Sequence, residues 1–358
     1  MSVNLQLFGF SLRLESELPA FEAYVRTAMK PWLCEPTDAV DVRVGLRWHD
    51  SVAPRGVDKA YPGRTAERRP DRDLLISGTS AVWGRIDDFS DLTLEINKPG
   101  DVLEITGDYY FQIGSQRRIE SLRRLLAGGD LARLQSRRFS TLLYYLVYHP
   151  LLWRASRQAG WNVLHAGGVA RGGRGLVFVG APGCGKSTLC VSLLADREVS
   201  MLSDNLLLHD GARVLACPEL MLLDERSLAM AGPGAKRLVS TGERRVFGRD
   251  AYRPDVVVAD PVRPAAICYV ERGGTSSIEP IDADEVVARI HAGNTLAKEV
   301  RRIAIMNEVL DLVAGTRRPN EEGAAAILAS GCPAYRLQVG ADGAAIAMAA
   351  SLLRGESN

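Results

Sequence analysis

No apolar run in the chain is long enough to cross a bilayer as a helix. The greasiest stretch, 139–153, spans 15 residues and contains His149 and Pro150, whereas a spanning helix needs about 20 apolar residues. The chain also lacks net charge: 44 Lys plus Arg against 43 Asp plus Glu give +1, so no global field favours nucleic acid or an anionic membrane, and any basic site must be local. Six cysteines, Cys34, Cys184, Cys190, Cys217, Cys268 and Cys332, form no CxxC pair and have no His at zinc-ligand spacing. That excludes a disulfide framework and predicts a reducing compartment. Residues 1–9 lack a basic start, an apolar core and a small-residue cleavage site, so no ordinary secretory signal is expected. There is no internal repeat. The expectation is a soluble, cytoplasmic protein.

What remains is an ordinary globular composition, 46% hydrophobic and 24% charged, in 358 residues, enough for two domains. In the first third, 41–48 alternates apolar and polar residues as a half-buried strand does. Short strand-like runs follow at 73–77, 81–86, 92–96 and 102–106, broken by Gly, Asp, Asn and Pro-Gly, and predict a meander of hairpins. Between them 53–73, rich in Arg, Pro and Gly, reads as a mobile loop whose arginines are solvated or meet an acidic partner. From 115 to 126 and from 131 to 158 the period becomes helical, with a bend expected near Pro150. Tyr144, Tyr145, Tyr148 and Trp153 at that spacing read as core.

After Gly160 strands and helices alternate. Strands are expected at 163–164, 169–170, 176–179, 199–202, 265–270 and 335–339, with helices at 187–194, 284–291, 299–314, 321–329 and 344–353. Strand, loop, helix, strand is the signature of a parallel βαβ unit.

Within that region Gly180-Ala181-Pro182-Gly183-Cys184-Gly185-Lys186-Ser187-Thr188 is a complete GxxxxGK[ST] phosphate loop, preceded by an apolar strand and followed by a helix. The glycines let successive N–H groups converge on phosphates and the helix N-terminus adds about half a positive charge. Lys186 is expected to reach the β and γ phosphates and Ser187 to ligate Mg²⁺. Cys184 fills a variable position in the loop.

Eighteen positions beyond Lys186, Asp204 ends a strand that the spacing returns to the loop. A carboxylate there can ligate Mg²⁺ or take the proton of an attacking hydroxyl; its bland role is a strand-end cap. His165 in His165-Ala166-Gly167-Gly168 has two readings as well, a satisfied structural residue or a site residue titrating near 6.5, and the two glycines permit close backbone approach. The other histidines have no such context. Six basic residues, Lys236, Arg237, Arg244, Arg245, Arg249 and Arg253, lie in a stretch without clear period, either a substrate clamp or a solvated loop.

The run LHAGGVARGGRGLVFVGAPGCGKSTL followed by MLSDNLLL resembles the HPr kinase/phosphorylase superfamily, especially its HprK-related kinase branch. CPELMLLDERSL is similar to that branch's next segment. The likeness covers about 161–227, is fainter from 265 onward, and leaves the first 135 residues largely unmatched. It implies an α/β fold with a P-loop kinase core of the HPr kinase C-terminal type (137–358, with 137–160 a connecting helix) behind a mixed α+β N-terminal domain (1–136). By this likeness Lys186 matches the loop lysine, Ser187 the metal-binding hydroxyl, His165 the active-site histidine, and Asp204 the first of two paired aspartates that supply the base. The second position is Asn205, which cannot take a proton; this departure leaves Asp204 alone and argues against a reversible phosphorylase. The resemblance implies an ATP- and Mg²⁺-dependent kinase that phosphorylates a hydroxyl of a peptide, a protein or a small molecule, with no nucleic-acid or membrane partner and with homo-oligomerisation left open. The alternative is a P-loop ATPase or nucleotide-gated binding protein without an acceptor.

Overall fold

The computed structural model describes residues 2–37, 39–51, 53, 56–57, 67–69, 72–86, 91–111, 138–217, 219–244, 249–258, 260–316 and 321–356. The protein is a mixed α/β structure in two compact units, Met1–Gln158 with Ile303–Arg318, and Ala159–Arg302 with Pro319–Asn358.

The first unit holds an eight-stranded sheet built from β1 (Ser2–Leu7), β2 (Phe10–Ser16), β3 (Val42–His49), β4 (Glu67–Arg69), β5 (Leu74–Ser77), β6 (Ser80–Trp83), β7 (Leu92–Asn97) and β8 (Leu103–Tyr110), in the order β1-β2-β3-β8-β7-β6-β5-β4. The expected meander is present as the antiparallel run β8-β7-β6-β5. The other half is different: β2, β3 and β8 are mutually parallel, and α1 (Pro19–Ala28) provides the crossover from β2 to β3. Most of 53–73 and all of 115–126 and 131–137 fall outside the described residues.

Residues 138–143 are helical, Tyr144–Tyr148 is a π-turn, and α2 (His149–Ala159) follows. Pro150 has no N–H to give, and the wider π-turn, in which His149 N–H bonds to Tyr144 O, lies directly before it, where the sequence predicted a bend. Tyr145, Tyr148 and Trp153 are buried, as their spacing suggested. Trp153 and Arg157 of α2 both bond Asp311, which explains why 303–318 belongs to this unit. The division therefore differs from the expected boundary at 136/137: the connecting helix and a later helical segment group with the sheet of the first unit.

The second unit centres on a six-stranded sheet formed by β10 (Gly167–Arg171), β11 (Arg174–Val179), β12 (Ser200–Ser203), β18 (Arg263–Arg272), β19 (Ser277–Pro280) and β20 (Ala334–Val339), ordered β12-β10-β11-β18-β20-β19. Two small sheets accompany it. One comprises β9 (Asn162–His165), β13 (Leu206–His209) and β14 (Val214–Ala216), and the other β15 (Met221–Leu223), β16 (Leu238–Arg244) and β17 (Asp250–Pro254). The helices are α3 (Lys186–Leu193), α4 (Glu225–Ala231), α5 (Ala283–Leu296), α6 (Lys298–Ala314, which ends in the first unit), α7 (Glu321–Ser330) and α8 (Ala344–Arg354).

Beyond Arg174, strand β11 is buried on both sides, which is why 176–179 is an uninterrupted apolar run. Leu176 and Phe178 pack with Leu189, Cys190 and Leu193 of α3 and Ala349 and Leu353 of α8, whereas Val177 and Val179 pack with Val286 and Ile290 of α5 and Leu328 of α7. Each such side chain contributes about 1.5–3 kcal/mol of burial. The expected parallel pairing of the loop strand with the next strand is not observed. Strand β10 stands between β11 and β12, antiparallel to both, and β11 instead runs parallel to β18. The hairpin Arg171–Arg174 allows this, because Gly172 (φ 56°) and Gly173 (φ 77°) supply the left-handed pair that a two-residue turn requires.

Candidate functional site

The phosphate loop spans the gap from β11 to α3. Gly180, at φ 148°, lies against the neighbouring strand so closely that a Cβ would stand 2.5 Å from Val270 O. Gly183 (φ 79°) and Gly185 (φ 115°) turn the chain into the helix, and Gly185 caps α3 without a side-chain bond. Ala181, Pro182 and Gly183 are exposed, Ser187 and Thr188 half-buried. This is an uncapped helix start at the end of a buried strand, the arrangement that suits an anion.

Lys186 is 6% exposed, and its Nζ donates to the carbonyls of Gly180 (2.7 Å) and Ala181 (3.1 Å), 3.9 Å from Cys184 Sγ. The charge is folded across the loop that it would serve. Cys184 itself is buried, and all six cysteines are unpaired.

Asp204 comes to the loop by a route different from the one the spacing suggested. At the end of β12 the chain crosses from the central sheet to the β9–β13 sheet, and the β9–β10 link crosses beside it. Gly168 pairs with Ser203, Ala166 N–H bonds to Asn205 O at 3.1 Å, and His165 pairs with Leu206. The two crossovers thus set His165 and Asp204 at one sheet junction. Gly167 makes room there, since a Cβ on it would meet Cys190 Sγ at 3.0 Å, Asp204 O at 3.3 Å and Lys186 Cβ at 3.6 Å.

Asp204 keeps partial exposure as a residue, yet its Oδ1 is buried with no hydrogen-bond partner. Burial raises its carboxyl above the usual Asp value, against the opposing pull of the Ser187 hydroxyl, Lys186 and Arg249. A carboxylate so placed is a stronger base than one in water, and its open oxygen can accept a proton or meet a cation.

His165 is 7% exposed, and neither ring nitrogen completes a hydrogen bond of good geometry. Burial foremost, and then Lys186, lowers its pKa to about 4, while Glu299 and the Asn205 carbonyl pull the other way without prevailing. The sequence expectation of titration near 6.5 is therefore corrected: the ring is neutral at pH 7 because it is buried beside a cation. Its strand is held by Asn294 of α5, which accepts from His165 N–H at 2.8 Å and donates to Val163 O at 3.2 Å.

The basic stretch 236–253 separates into different roles. Arg237 is engaged by Asp255 and Leu194 O, Arg253 donates to Pro254 O, and Arg245 lies outside the described residues. Arg249 is the member whose charge acts on Asp204, and on Asp224 as well. Much of the stretch without apparent period is the antiparallel pair β16–β17, whose register shifts between Ser240 and Arg244. Glu219 accepts from Leu206 N–H at 3.1 Å, next to the Asp204–Asn205 crossover. Asn294, Glu219 and Glu299 carried no local signal in the sequence, since each reaches the junction only through tertiary packing.

Among the described residues no group of three or more His, Cys, Asp or Glu is gathered as a metal site, and no helix is long and apolar enough to cross a membrane. No family model matches the chain, and no curated protein matches it.

Proposed function

We propose that the protein is an ATP-dependent kinase that transfers the γ-phosphoryl group to a hydroxyl acceptor. The observation that carries this reading is the meeting of a complete phosphate loop with a buried, incompletely bonded carboxylate: Asp204 faces Ser187 and Lys186, and its Oδ1 has no partner. The likeness of 161–227 to the HPr kinase/phosphorylase superfamily supports the same reading, and with it we propose a P-loop kinase core and a cytoplasmic location.

In this scheme the loop amides and Lys186 hold the phosphates, Lys186 exchanging its bonds to Gly180 O and Ala181 O for phosphate oxygens. Asp204 takes the proton of the acceptor hydroxyl as that oxygen bonds to phosphorus and the bond to ADP breaks. Arg249 adds positive charge near Asp204. Neutral His165 does not contribute charge. The Ser187 hydroxyl and the Asp204 carboxylate are oxygen donors of the kind that would hold Mg²⁺, which would neutralise charge on the phosphates.

Incubation with γ-labelled ATP, Mg²⁺ and peptides or metabolites made by products of neighbouring genes tests the proposal. Label on an acceptor hydroxyl is the expected result. Label released solely as inorganic phosphate would replace the kinase with a nucleotide-gated ATPase.

A further inference from the structure

The His165 end of β9 is an open sheet edge. Strand β9 pairs with β13 on one side, and among the described residues no strand pairs with the other. The backbone groups of a strand face its two edges in turn, and those of β9 that face away from β13 include His165 N–H and Val163 C=O. The side chain of Asn294 takes both: its Oδ1 accepts from His165 N–H at 2.8 Å, and its Nδ2 donates to Val163 O at 3.2 Å. One carboxamide thus does what a peptide unit of a neighbouring strand would do.

Helical spacing brings that amide to the edge. Val286, Ile290 and Asn294 lie one turn apart on α5 and share a face, and Val286 and Ile290 are buried with Leu164 of β9 and with Ala166. Asn is a poor helix former, so its place in the last turn of α5 is explained by these two bonds and not by propensity. The bonds continue toward the phosphate loop. Ala166 N–H donates to Asn205 O at 3.1 Å, and on the other side of that crossover Glu219 accepts from Leu206 N–H. Asp204 directly precedes these residues, and its Oδ1 has no partner. No side-chain bond fixes that oxygen, so the backbone sets where it stands.

We infer that Asn294 is a positioning residue for phosphoryl transfer: its amide stands in for the strand that β9 lacks and, through the Ala166–Asn205 bond, holds the Asp204 crossover at the phosphate loop. The inference rests on the reading of Asp204 as the base. Both bonds of Asn294 go to β9 and none to the phosphate loop, so nucleotide affinity does not depend on it.

Asn294→Leu in the full chain keeps the volume, removes both bonds and tests the inference. In the folded fraction kcat should fall by about 10–100-fold, the range for losing a supporting residue or for a displacement of about 1 Å. KM for ATP, and ATP affinity by calorimetry, should stay within about twofold of wild type. A double-mutant cycle separates positioning from a merely structural role. In an Asp204→Asn background no base is left to position, and Asn294→Leu should change kcat less than about threefold. Fully additive losses in that cycle, or wild-type kcat in Asn294→Leu, would overturn the inference. If Asn294→Leu fails to fold, Asn294→Asp carries the same cycle, since it keeps the acceptor for His165 N–H and loses only the donor to Val163. A wild type that releases label solely as inorganic phosphate fails the acceptor reading alone; the cycle is then read on that release, with the same expected and overturning results. Amide hydrogen exchange reads the bonds without turnover. The His165 and Ala166 amides should exchange about tenfold or more faster in the variant, and unchanged exchange at both would overturn the inference whatever reaction the protein catalyses.

Discussion

Two half-buried aspartates, one in each unit, show how the same side chain is left saturated or incompletely bonded by its surroundings. Asp311 in the first unit is saturated with donors: Arg157 bonds both of its oxygens at 2.7 Å, and Trp153 Nε1 and the Thr316 hydroxyl bond Oδ1 at 2.9 and 2.7 Å. Burial alone would raise its pKa, but these bonds outweigh burial and hold it below the ordinary value. Asp204 in the second unit is buried with fewer donors, one of its oxygens has none, and burial wins. Donor count separates a carboxylate that fastens two helical segments from one whose pKa is raised by burial.

Removing each carboxylate should therefore have opposite signatures. Asp204→Asn is expected to lower kcat for phosphoryl transfer by roughly 10²–10⁴-fold with little change in melting temperature, since a base is lost and no bonded network is broken. Calorimetry should still detect nucleotide binding. Wild-type turnover in this variant would remove Asp204 as the base, and the wild-type acid limb should lie above the ordinary Asp value of 3.8, as its raised pKa requires. Asp311→Ala is expected to leave kcat unchanged in the folded fraction and to cost about 3–5 kcal/mol of stability, because Arg157 is left buried and unpaired. Urea unfolding of that variant measures it, and a loss below about 1 kcal/mol would mean that solvent already screens the pair.

The sequence reveals these two aspartates unequally. Asp204 was legible because it follows a local motif at a spacing one helix and one strand can span. Even so, the route was misread: β10 lies between β11 and β12, and long-range pairing of this kind leaves no periodic mark. Asp311 was invisible as a partner of Arg157, 154 residues away in sequence. The elements of the second unit were largely readable from apolar runs and Gly breaks, whereas β1, β2 and the short strands β13 to β17 were not read. In the first unit, burial of alternate residues on β3 was legible, but the parallel neighbours β2 and β8 were not, since a strand's own pattern does not name its partner. Neutral His165 could not be read at all, because its environment comes from Lys186, Glu299 and Asn205 in three different elements.

His165 extends the comparison to a group whose charge is suppressed. Its folded pKa of about 4 lies below the ordinary 6.5, so the folded state binds fewer protons between these values. Stability should therefore be intact above pH 6.5 and fall as pH drops toward 4, by about 3 kcal/mol in total. Asp311 does not contribute to that slope: its stabilisation is present above 3.8 and is lost only as pH falls through its lower folded value. Unfolding free energies of wild type and His165→Gln at pH 7 and pH 4.5 isolate the effect, the variant losing less. Equal losses in the two proteins would place the imidazole in water, and a kinetic limb at pH 6.5 that disappears in the variant would contradict a ring held neutral.

The smallest expected effect probes how tightly the Asp204 junction is packed. Gly167 separates Asp204 from Cys190, and a methyl group on it would lie 3.0 Å from Cys190 Sγ and 3.3 Å from Asp204 O. Both contacts are shorter than side chains normally tolerate, and Cys190 is fully buried, so its sulfur has little room to withdraw. Gly167→Ala should cost about 1–2 kcal/mol from overpacking, and should lower kcat severalfold by displacing the Asp204 backbone. In a Cys190→Ala background the sulfur is gone, and the added methyl should cost less than in the wild type. This cycle compares the two penalties by urea unfolding. A penalty identical in both backgrounds would mean that the strain lies elsewhere in β10, and that the space beside Asp204 is looser than the short contacts imply.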